Sequence, residues 1–398
     1  ISFRARHWLQ SADDRRSTSA IHAVRGPDPS LYPRVGLARL LTEEFSKPVS
    51  DDAGAVQRFQ NAVGSLVRHM RGIRCVPEQI VPIASCTQGI ELAARLMLDP
   101  GDCVYVEEAL DPCIRQSLEL AGAQLVFMPC DGQGVDVTKA SGPPPRLIIV
   151  CPSANFPLGR QMSELRRQAV IERAEAYGAT ILEWDRCWGL SYTGGRNPAI
   201  QAQARHGSVV YFDTFFESLG AHSRLGYLIV PHAMAEQYAR MAEQTASGPA
   251  SFLLSAVARF IEGHQFKVHL SSLRTEYARR LRRLSDLARA SLDDVRVIEP
   301  NAGYTLAIEF PDHLDDVEIC RSLGINLPVA PLSRFFHDPQ RAQPAGLVIG
   351  AGAMTERMLE SVVRQIGDAL ARARNSGIRS RNQTMSRSVK ALSAELAS

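Results

Sequence analysis

The chain has 398 residues, 45% of them apolar and 22% charged, which is enough for a large globular domain with a smaller companion. Its net charge of +3 is spread along the chain and is too small to indicate nucleic-acid binding. No apolar run approaches the roughly 20 residues of a membrane span, no signal-peptide core is present and the eight cysteines form no CxxC pair, so we expect a cytoplasmic protein with reduced cysteines.

Short apolar segments alternate with helical patterns from about Ala84 onward. The apolar segments are CVYVEEAL, QLVFMPC, PRLIIVCPS, ATILEWD, SVVYFDTFF and RLGYLIVP. Strands of about 5–7 residues between longer helices indicate a mostly parallel sheet covered by helices on both faces. In such sheets, ligands bind beyond the carboxyl ends of the strands. We therefore expect functional side chains just after strands, at Cys86, Asp111, Asn155, Trp184, Asp185 and Glu217.

A second α/β pattern follows a long polar helix, EYARRLRRLSDLARASL. It contains a strand pair around Asn301, the strand AGLVIGAG and the helix MTERMLESVVRQIGDALARA. We predict a large α/β domain over residues 49–285 and a small α/β domain over 286–374, to which an N-terminal arm, residues 1–48, contributes. Residues 375–398 are rich in Ser, Arg and Asn without apolar periodicity, which predicts a disordered tail.

Several phrases occur in an order that is typical of one enzyme family: RGIRCVPEQIV, AARLMLDPGD, PSANFPLGRQMS, SRLGYLIVP and VAPLSRFF. Together they resemble the fold-type I pyridoxal-phosphate (PLP) enzymes, in particular the aminotransferase-like domain of MocR-type regulators. The resemblance runs from Gly26 to Leu370. It implies an α/β fold, with a mostly parallel mixed sheet in the large domain and a smaller α/β domain. It also implies a homodimer with sites at the subunit boundary, which the segment GPDPSLYPRVGLARLLTEEF would cross.

The resemblance also implies where the contacts to PLP would lie. A lysine in a Ser-x-Ser-Lys pattern after a strand forms the Schiff base in the family, and its position here is Glu217. A carboxylate cannot form an imine, so covalent attachment is excluded at that residue. The second serine of the phosphate cup is replaced by Phe216, whereas the downstream arginine that pairs with the phosphate matches Arg224.

The remaining PLP positions also differ from the family pattern. The acid on the pyridine nitrogen aligns with Trp184, and Asp185 follows it. Because a one-residue shift moves a side chain to the other face of a strand, either of the two could face the cleft. The ring-stacking aromatic, the neighbouring subunit's tyrosine and the substrate-binding arginine fall at Asp111, near Val49 and at Val348. Asn155 lies at or beside the polar position under the cofactor hydroxyl. The combined loss predicts a retained pocket without PLP.

Carboxylates and aromatic side chains would line this pocket. We expect Glu217, Asp111, Asp185 and His222 as acid–base groups, Arg224 as the anchor for a substrate carboxylate or phosphate, and Trp184, Asn155, Phe216, Cys86 and Trp188 as lining residues. The ordinary alternatives are solvated loop carboxylates, an ion pair of Arg224 with Glu217 or Asp111, core packing of the aromatic residues and an exposed loop histidine. A nucleophilic cysteine lacks a histidine at motif spacing, and a metal site lacks a spaced ligand motif.

Three functional hypotheses fit these residues. The first is a PLP-independent enzyme that uses carboxylate acid–base catalysis for cyclisation, elimination, isomerisation or decarboxylation of a small specialised metabolite. The second is an enzyme that binds PLP or its amine form non-covalently, with Glu217 transferring protons in place of the lysine. The third is a non-catalytic protein that binds a small ligand or stabilises a partner subunit. The first hypothesis expects no cofactor, and none of the three involves nucleic acid or a membrane.

Overall fold

The computed structural model contains two main sheets, and it describes residues 23–47, 52–194, 198–204, 207–220, 223–245, 248–311, 313–323, 327–338 and 342–376. The first strands along the chain are β1 (Ile80–Ile83), β2 (Cys103–Glu107), β3 (Gln124–Met128), β4 (Cys130–Asp131), β5 (Gly134–Val135), β6 (Leu147–Val150), β7 (Thr180–Trp184), β8 (Val209–Thr214) and β9 (Gly226–Ile229). Strands β4 and β5 pair with each other. The others form a seven-stranded sheet in the order β1-β9-β8-β7-β6-β2-β3, in which β9 runs antiparallel to β1 and β8 and the remaining neighbours are parallel. This is the mostly parallel mixed sheet that the alternating sequence pattern predicts.

Helices cover both faces of this sheet. In chain order they are α1 (Arg34–Phe45), α2 (Asp52–Arg71), α3 (Cys86–Met97), α4 (Pro112–Ala121), α5 (Glu164–Tyr177), α6 (Ile200–Gln203), α7 (Phe216–Leu219), α8 (Ala235–Thr245), α9 (Ser251–Glu262) and α10 (Gln265–Ser291). Ser85, Asp111 and Ser163 accept hydrogen bonds from backbone N–H groups in the first turns of α3, α4 and α5. These caps satisfy donors that a helix start otherwise leaves unpaired.

Alternate residues along each strand pack against opposite helix layers. In β8, Val210 and Phe212 lie in the core with α3, α4 and α8, whereas Tyr211 lies in the core with α2 and α9. Because both faces are buried, the strands read as continuous apolar runs in the sequence. The acidic residues in this part of the chain therefore lie at the carboxyl end of β8. Asp213 is near the end of the strand, and Glu217 follows the strand in α7.

A four-stranded antiparallel sheet forms a second core. Its strands are β10 (Arg296–Ile298), β11 (Thr305–Glu309), β12 (Val329–Pro331) and β13 (Gly346–Gly350), in the order β10-β11-β13-β12. Helices α11 (Asp316–Ser322) and α12 (Glu356–Ser376) accompany this sheet. The long α10 joins the two cores, because Phe266 near its start packs in the first and Leu284 near its end packs in the second. Val348, where the resemblance expects a substrate-binding arginine, is buried in β13.

Two predictions from the sequence, the disordered tail and the position near Val49, concern residues that the structure describes only in part or not at all. Residues 375 and 376 end α12, and the rest of the predicted tail lies outside the described residues, as does Val49. The domain boundaries predicted from the sequence stay predictions. Within the described ranges, we find no helix with both the length and the apolarity needed to cross a bilayer.

Candidate active site

The cleft beyond the carboxyl ends of the strands is bounded by the small sheet and by the N-terminal segment. Leu110, just after β2, donates its backbone N–H to Phe335 O at 2.9 Å. Tyr304, just before β11, donates its hydroxyl to Arg25 O at 2.6 Å. These contacts bring Arg25 to the strand ends, although it lies far from them in sequence.

Asp111 forms the first of two ion pairs in the cleft. Its Oδ1 accepts a hydrogen bond from Arg25 Nη1 at 3.2 Å, and its Oδ2 lies 3.1 Å from Arg25 Nη2. The carboxylate also caps α4 by accepting from Cys113 N at 3.0 Å. Asp111 is buried. Burial alone would lower the pKa of the Arg25 guanidinium, but Asp111 raises it above its ordinary value, so the guanidinium stays charged.

Glu217 forms the second ion pair. It lies in the short helix α7 directly after β8, and its Oε1 accepts from Arg186 Nη2 at 3.4 Å. Both side chains are buried. Burial opposes the charge of Arg186, but nearby Cys187 and Glu217 raise its pKa above the ordinary value. A buried charge without a partner is costly, so each of these two groups stabilises the other in the cleft.

One aromatic ring connects the two ion pairs. The Cζ atoms of Arg25 and Arg186 lie 5.9 and 4.8 Å from the centroid of the Phe156 ring. Arg25 also lies 6.0 Å from the Phe216 ring, and Arg186 lies 5.6 Å from the Trp184 ring. Cation–π contacts of this kind add attraction for the guanidinium groups where water is excluded. The cleft therefore holds two carboxylates and two guanidinium groups around one aromatic cluster, which consists of Phe156, Phe216 and Trp184.

The ordinary alternative, an ion pair of Arg224 with Glu217 or Asp111, does not describe these carboxylates. Arg224 is exposed, and its backbone φ of 39° lies in the left-handed region. Glu217 and Asp111 pair with Arg186 and Arg25 instead. The physical reason is that these two guanidinium groups approach the carboxylates from inside the cleft, whereas Arg224 faces solvent in the loop before β9. Its role as a substrate anchor stays a prediction.

Trp184 and Asp185 lie on opposite sides of the strand end. Trp184 is buried, stacks on Phe212 with ring centroids 5.6 Å apart, and contacts Arg186. Asp185 is fully buried on the other side, where its Oδ2 lies 2.5 Å from Arg71 Nε and 2.9 Å from Tyr211 Oη. The structure thus brings Trp184 to the cleft and places Asp185 in a separate buried network.

Asp213 is a second acid beside Glu217, and sequence reasoning missed it. Its Oδ2 accepts from Trp188 Nε1 at 2.6 Å, and its Oδ1 accepts from Thr214 N at 2.7 Å. Burial, reinforced by the charges of Glu217 and Asp185, raises the pKa of Asp213 well above its ordinary value. Asp213 is therefore a weaker acid than an exposed aspartate, and it lines the same small cavity as Glu217.

Two small cavities and one large cavity adjoin these residues. A cavity of about 20 Å³ is lined by Asp213, Glu217 and Trp188. A second, of about 10 Å³, is lined by Asn155, Arg186 and Tyr304, and Asn155 is held there by accepting from Arg160 N at 2.9 Å. A cavity of about 940 Å³ lies on the other side of Trp188, between α10 and residues 189–194, with Lys267, Arg274 and Arg282 on its walls.

Among the residues that the structure describes, three N–H donors in the cleft have no acceptor. They are Arg25 Nε, Arg186 Nε and Trp184 Nε1, and all three atoms are buried. Most buried donors in proteins are paired, so a cluster of unpaired ones needs an explanation. All three belong to the aromatic cluster around the ion pairs, which makes the cleft a place where an acceptor oxygen would be stabilised.

The other predicted residues take different positions. Cys86 is the first residue of α3, and its Sγ lies 3.6 Å from Cys113 Sγ. Phe216 is half-buried beneath Arg25. His222 lies outside the described residues.

Comparison with known proteins places this chain in a family. Residues 52–335 match the model of aminotransferase class I and II. The chain belongs to that family. Over 323 residues it is 31% identical to the probable rhizopine catabolism regulatory protein MocR of Rhizobium meliloti, an alignment that covers 80% of this chain and 65% of that protein. Over 317 residues it is 24% identical to aromatic-amino-acid aminotransferase 1 of Thermococcus litoralis, covering 75% of this chain and 76% of that protein.

Solved aminotransferases share the fold. An archaeal alanine:glyoxylate aminotransferase superposes with a TM-score of 0.81 at 19% identity, covering 90% of this chain and 98% of that one. The kynurenine aminotransferase of Pyrococcus horikoshii, in a complex with PMP, superposes with a TM-score of 0.79 at 19% identity, covering 94% and 95%. At these identities the likeness shows the aminotransferase fold alone.

The residues of the cleft do not fit PLP bound as a Schiff base. Glu217 offers a carboxylate that is paired with Arg186, and the Arg25 side chain fills the space between Asp111 and Phe156. The three lysines among the described residues lie elsewhere. Lys47 pairs with Glu44, Lys139 lies near Asp136, and Lys267 lines the large cavity. We therefore derive no step through PLP.

Arg25, Arg186 and Asp213 were the functional candidates that the sequence pattern did not reveal. Arg186 and Asp213 lie at strand ends that the sequence pattern did predict. Their charge at those positions is the signal that could have identified them as site residues. The sequence around Arg25 does not indicate a role in the site, because Arg25 reaches Asp111 through a contact between residues that are 86 positions apart.

Replacing Asp213 with Asn should stabilise the protein above neutral pH. Because the folded-state pKa of Asp213 is raised, its contribution to stability is present at low pH and is lost as pH rises from the unfolded-state pKa through the folded-state pKa. We expect Asp213→Asn to raise the free energy of unfolding by about 1 kcal/mol or more near pH 8, and by much less near pH 5, in urea titrations. The exposed Asp286→Asn serves as the control. A gain that is equal at both pH values, or a loss near pH 8, would refute the raised pKa.

Proposed function

We propose that the chain is a PLP-independent enzyme on an aminotransferase fold, and that its remodelled cleft binds a small anionic metabolite. The supporting observation is the pair of ion pairs, Asp111–Arg25 and Glu217–Arg186, together with the three unpaired N–H donors beside them. A carboxylate or phosphate group supplies the acceptor oxygens that these donors lack, and guanidinium groups recognise such groups through paired hydrogen bonds.

Glu217 and Asp213 are suited to proton transfer. They line the same small cavity, and burial raises the pKa of Asp213, so we assign Asp213 as the proton donor and Glu217 as the acceptor. Asp111 would orient Arg25. Elimination, isomerisation, cyclisation and decarboxylation of an anionic metabolite need proton transfer of this kind. The aromatic wall of Trp184 and Phe156 suits an unsaturated or apolar portion of the same molecule.

Ligand entry would require Arg25 to move. The cavities of about 20 and 10 Å³ hold no more than about one water each, so a metabolite must replace a side chain. Arg25 belongs to the N-terminal segment, and its side chain keeps 14% exposure. A ligand carboxylate that accepts from Arg25 Nε, while Asp111 keeps its contacts to the two Nη atoms, leaves no buried charge isolated.

Small anions should stabilise the protein through Arg25. We expect at least one of pyruvate, 2-oxoglutarate, benzoate and inorganic phosphate to raise the melting temperature in a thermal-shift titration. Arg25→Gln should weaken that binding about tenfold or more, because a charge-assisted hydrogen bond is lost. Arg95→Gln, an exposed change on α3, is the matched control and should leave binding unchanged. The proposal fails if none of these anions shifts the melting temperature, or if Arg25→Gln retains the full effect.

PLP should not be retained by the purified protein. The specific observation in favour of the alternative, non-covalent PLP, is the similarity to the PMP-containing aminotransferase. We expect no absorption band in the near-ultraviolet or visible range after addition of PLP and desalting, and no mass increase at Glu217 after borohydride treatment. A family aminotransferase with its lysine, treated in parallel, is the positive control. A retained band without a covalent adduct would contradict PLP independence and support proton transfer by Glu217 to bound PLP.

We also propose that the chain forms a homodimer. Val35 and Phe45 on α1 and Phe252 on the adjacent α9 are 88%, 74% and 38% exposed, and the two phenylalanine rings pack edge-on with centroids 5.6 Å apart. An exposed apolar group on two adjacent helices suits a subunit contact.

Light scattering should give twice the monomer mass of 43.7 kDa. Phe45→Glu should shift the protein toward the monomer, because it introduces a charge into this apolar group. Arg95→Gln is again the control. A wild-type protein that is monomeric at micromolar concentration would contradict the homodimer.

A further inference from the structure

Two cysteine thiols lie next to each other at the edge of the cleft. The Sγ atoms of Cys86 and Cys113 are 3.6 Å apart, and both residues are partly exposed. Cys86 is the first residue of α3 and Cys113 is the second residue of α4, so the two thiols lie at the N-terminal ends of two helices. Neither belongs to the acid–base pair proposed for catalysis.

The surroundings favour a thiolate on Cys86. The hydrogen bond from the Cys113 thiol and the charge of Arg25 together lower the pKa of Cys86 to about 7, against the effects of burial and of Asp111. The same hydrogen bond raises the pKa of Cys113, which therefore remains the donor. By contrast, burial raises the pKa values of Cys75 and Cys320 to about 11. Helix N-termini also stabilise a negative charge at both positions.

We propose that Cys86 and Cys113 form a modification site that reacts with low-molecular-weight disulfides and closes to an intramolecular disulfide. The Cys86 thiolate attacks one sulfur of the disulfide RSSR, which forms a Cys86–SR mixed disulfide and releases RS⁻. Cys113 then loses its proton to RS⁻ or solvent and attacks the Cys86 sulfur, which releases the second thiol. Two protein thiols are thereby oxidised by two electrons, and RSSR is reduced to two thiols.

The geometry requires only a short movement. The sulfur atoms must approach from 3.6 Å to about 2.0 Å, the length of a disulfide bond. Each thiol lies in the first turn of its helix, so side-chain rotation with a small backbone shift supplies the change. Gly122 and the buried side chains of Ile114 and Leu118 hold the rest of α4 in place.

Closure of the disulfide would change the charge around Arg25. In the reduced protein, the negative charges of Asp111 and of the Cys86 thiolate both partly neutralise the positive charge of Arg25. In the oxidised protein, Asp111 alone does so, and Arg25 should bind an anion more strongly. This consequence rests on the proposed anion site, whereas the disulfide itself does not.

The test uses the full chain and oxidised glutathione as the probe. After incubation with oxidised glutathione and alkylation of free thiols, peptide mass spectrometry should show a Cys86–Cys113 linked peptide that dithiothreitol removes. Cys113→Ser should instead accumulate glutathione on Cys86, because the resolving thiol is absent. Cys86→Ser should form no linked peptide and should carry less glutathione on Cys113 than Cys113→Ser carries on Cys86, because burial and the charge of Asp111 still raise the pKa of Cys113. Cys320→Ser is the control and should form the linked peptide as the wild type does.

The outcomes separate this proposal from the proposed function. The absence of a linked peptide in the wild type, or equal glutathione incorporation by Cys86→Ser and Cys113→Ser, would overturn the modification site. If the disulfide forms but anion binding by the oxidised and reduced proteins is the same, the modification site stands and the anion site at Arg25 is contradicted. Reaction of the wild type with a chromogenic disulfide should rise with pH around a midpoint near 7.

Discussion

Charge compensation inside a closed cleft is the constraint on which the rest of this site depends. An isolated buried carboxylate or guanidinium costs several kcal/mol, on the order of what stabilises a whole domain. The cleft therefore contains Asp111 and Glu217 only because Arg25 and Arg186 lie within hydrogen-bonding distance of them. Removing any one of the four leaves its partner uncompensated. This mutual dependence explains why the aromatic cluster, the N-terminal segment and the strand ends must be assembled together.

The N-terminal segment is held in place by contacts that serve this constraint. Tyr304 binds Arg25 O, and Asp28 N donates to Tyr277 Oη at 3.0 Å. Asp28 also pairs with Arg280 on α10 at 2.8 Å. These contacts link the segment to the helix that joins both cores. A backbone movement at Arg25 and Asp28 would therefore disturb contacts to Tyr304 and to α10.

The family match identifies the fold of this chain, but the residues in its cleft differ from those that PLP chemistry needs. The fold, the order of the strands and the match over residues 52–335 make the chain an aminotransferase class I and II protein. The cleft of that fold contains an acid where a Schiff base needs an amine, and it is filled by guanidinium and aromatic side chains. Because a fold does not determine the reaction it supports, these residues carry the functional argument. They favour binding of an anion and transfer of protons.

The sequence predicted the fold well and the partners in the site poorly, and the reason is the range of the interactions. Alternating apolar segments are local, so the parallel sheet and the strand-end positions of Asp111, Asn155 and Glu217 followed from them. The partner of Glu217 lies 31 residues away, and that of Asp111 lies 86 residues away. Such contacts leave no local pattern. The choice between Trp184 and Asp185 depended on a register of one residue, which only the paired strands define.

The most direct test of the central claim is a crystal structure of the full chain grown with excess PLP. The account predicts electron density for Arg25 between Asp111 and Phe156, with Glu217 paired to Arg186 and no cofactor among them. Density for PLP in that space, with Arg25 displaced and the Glu217–Arg186 pair broken, would contradict it.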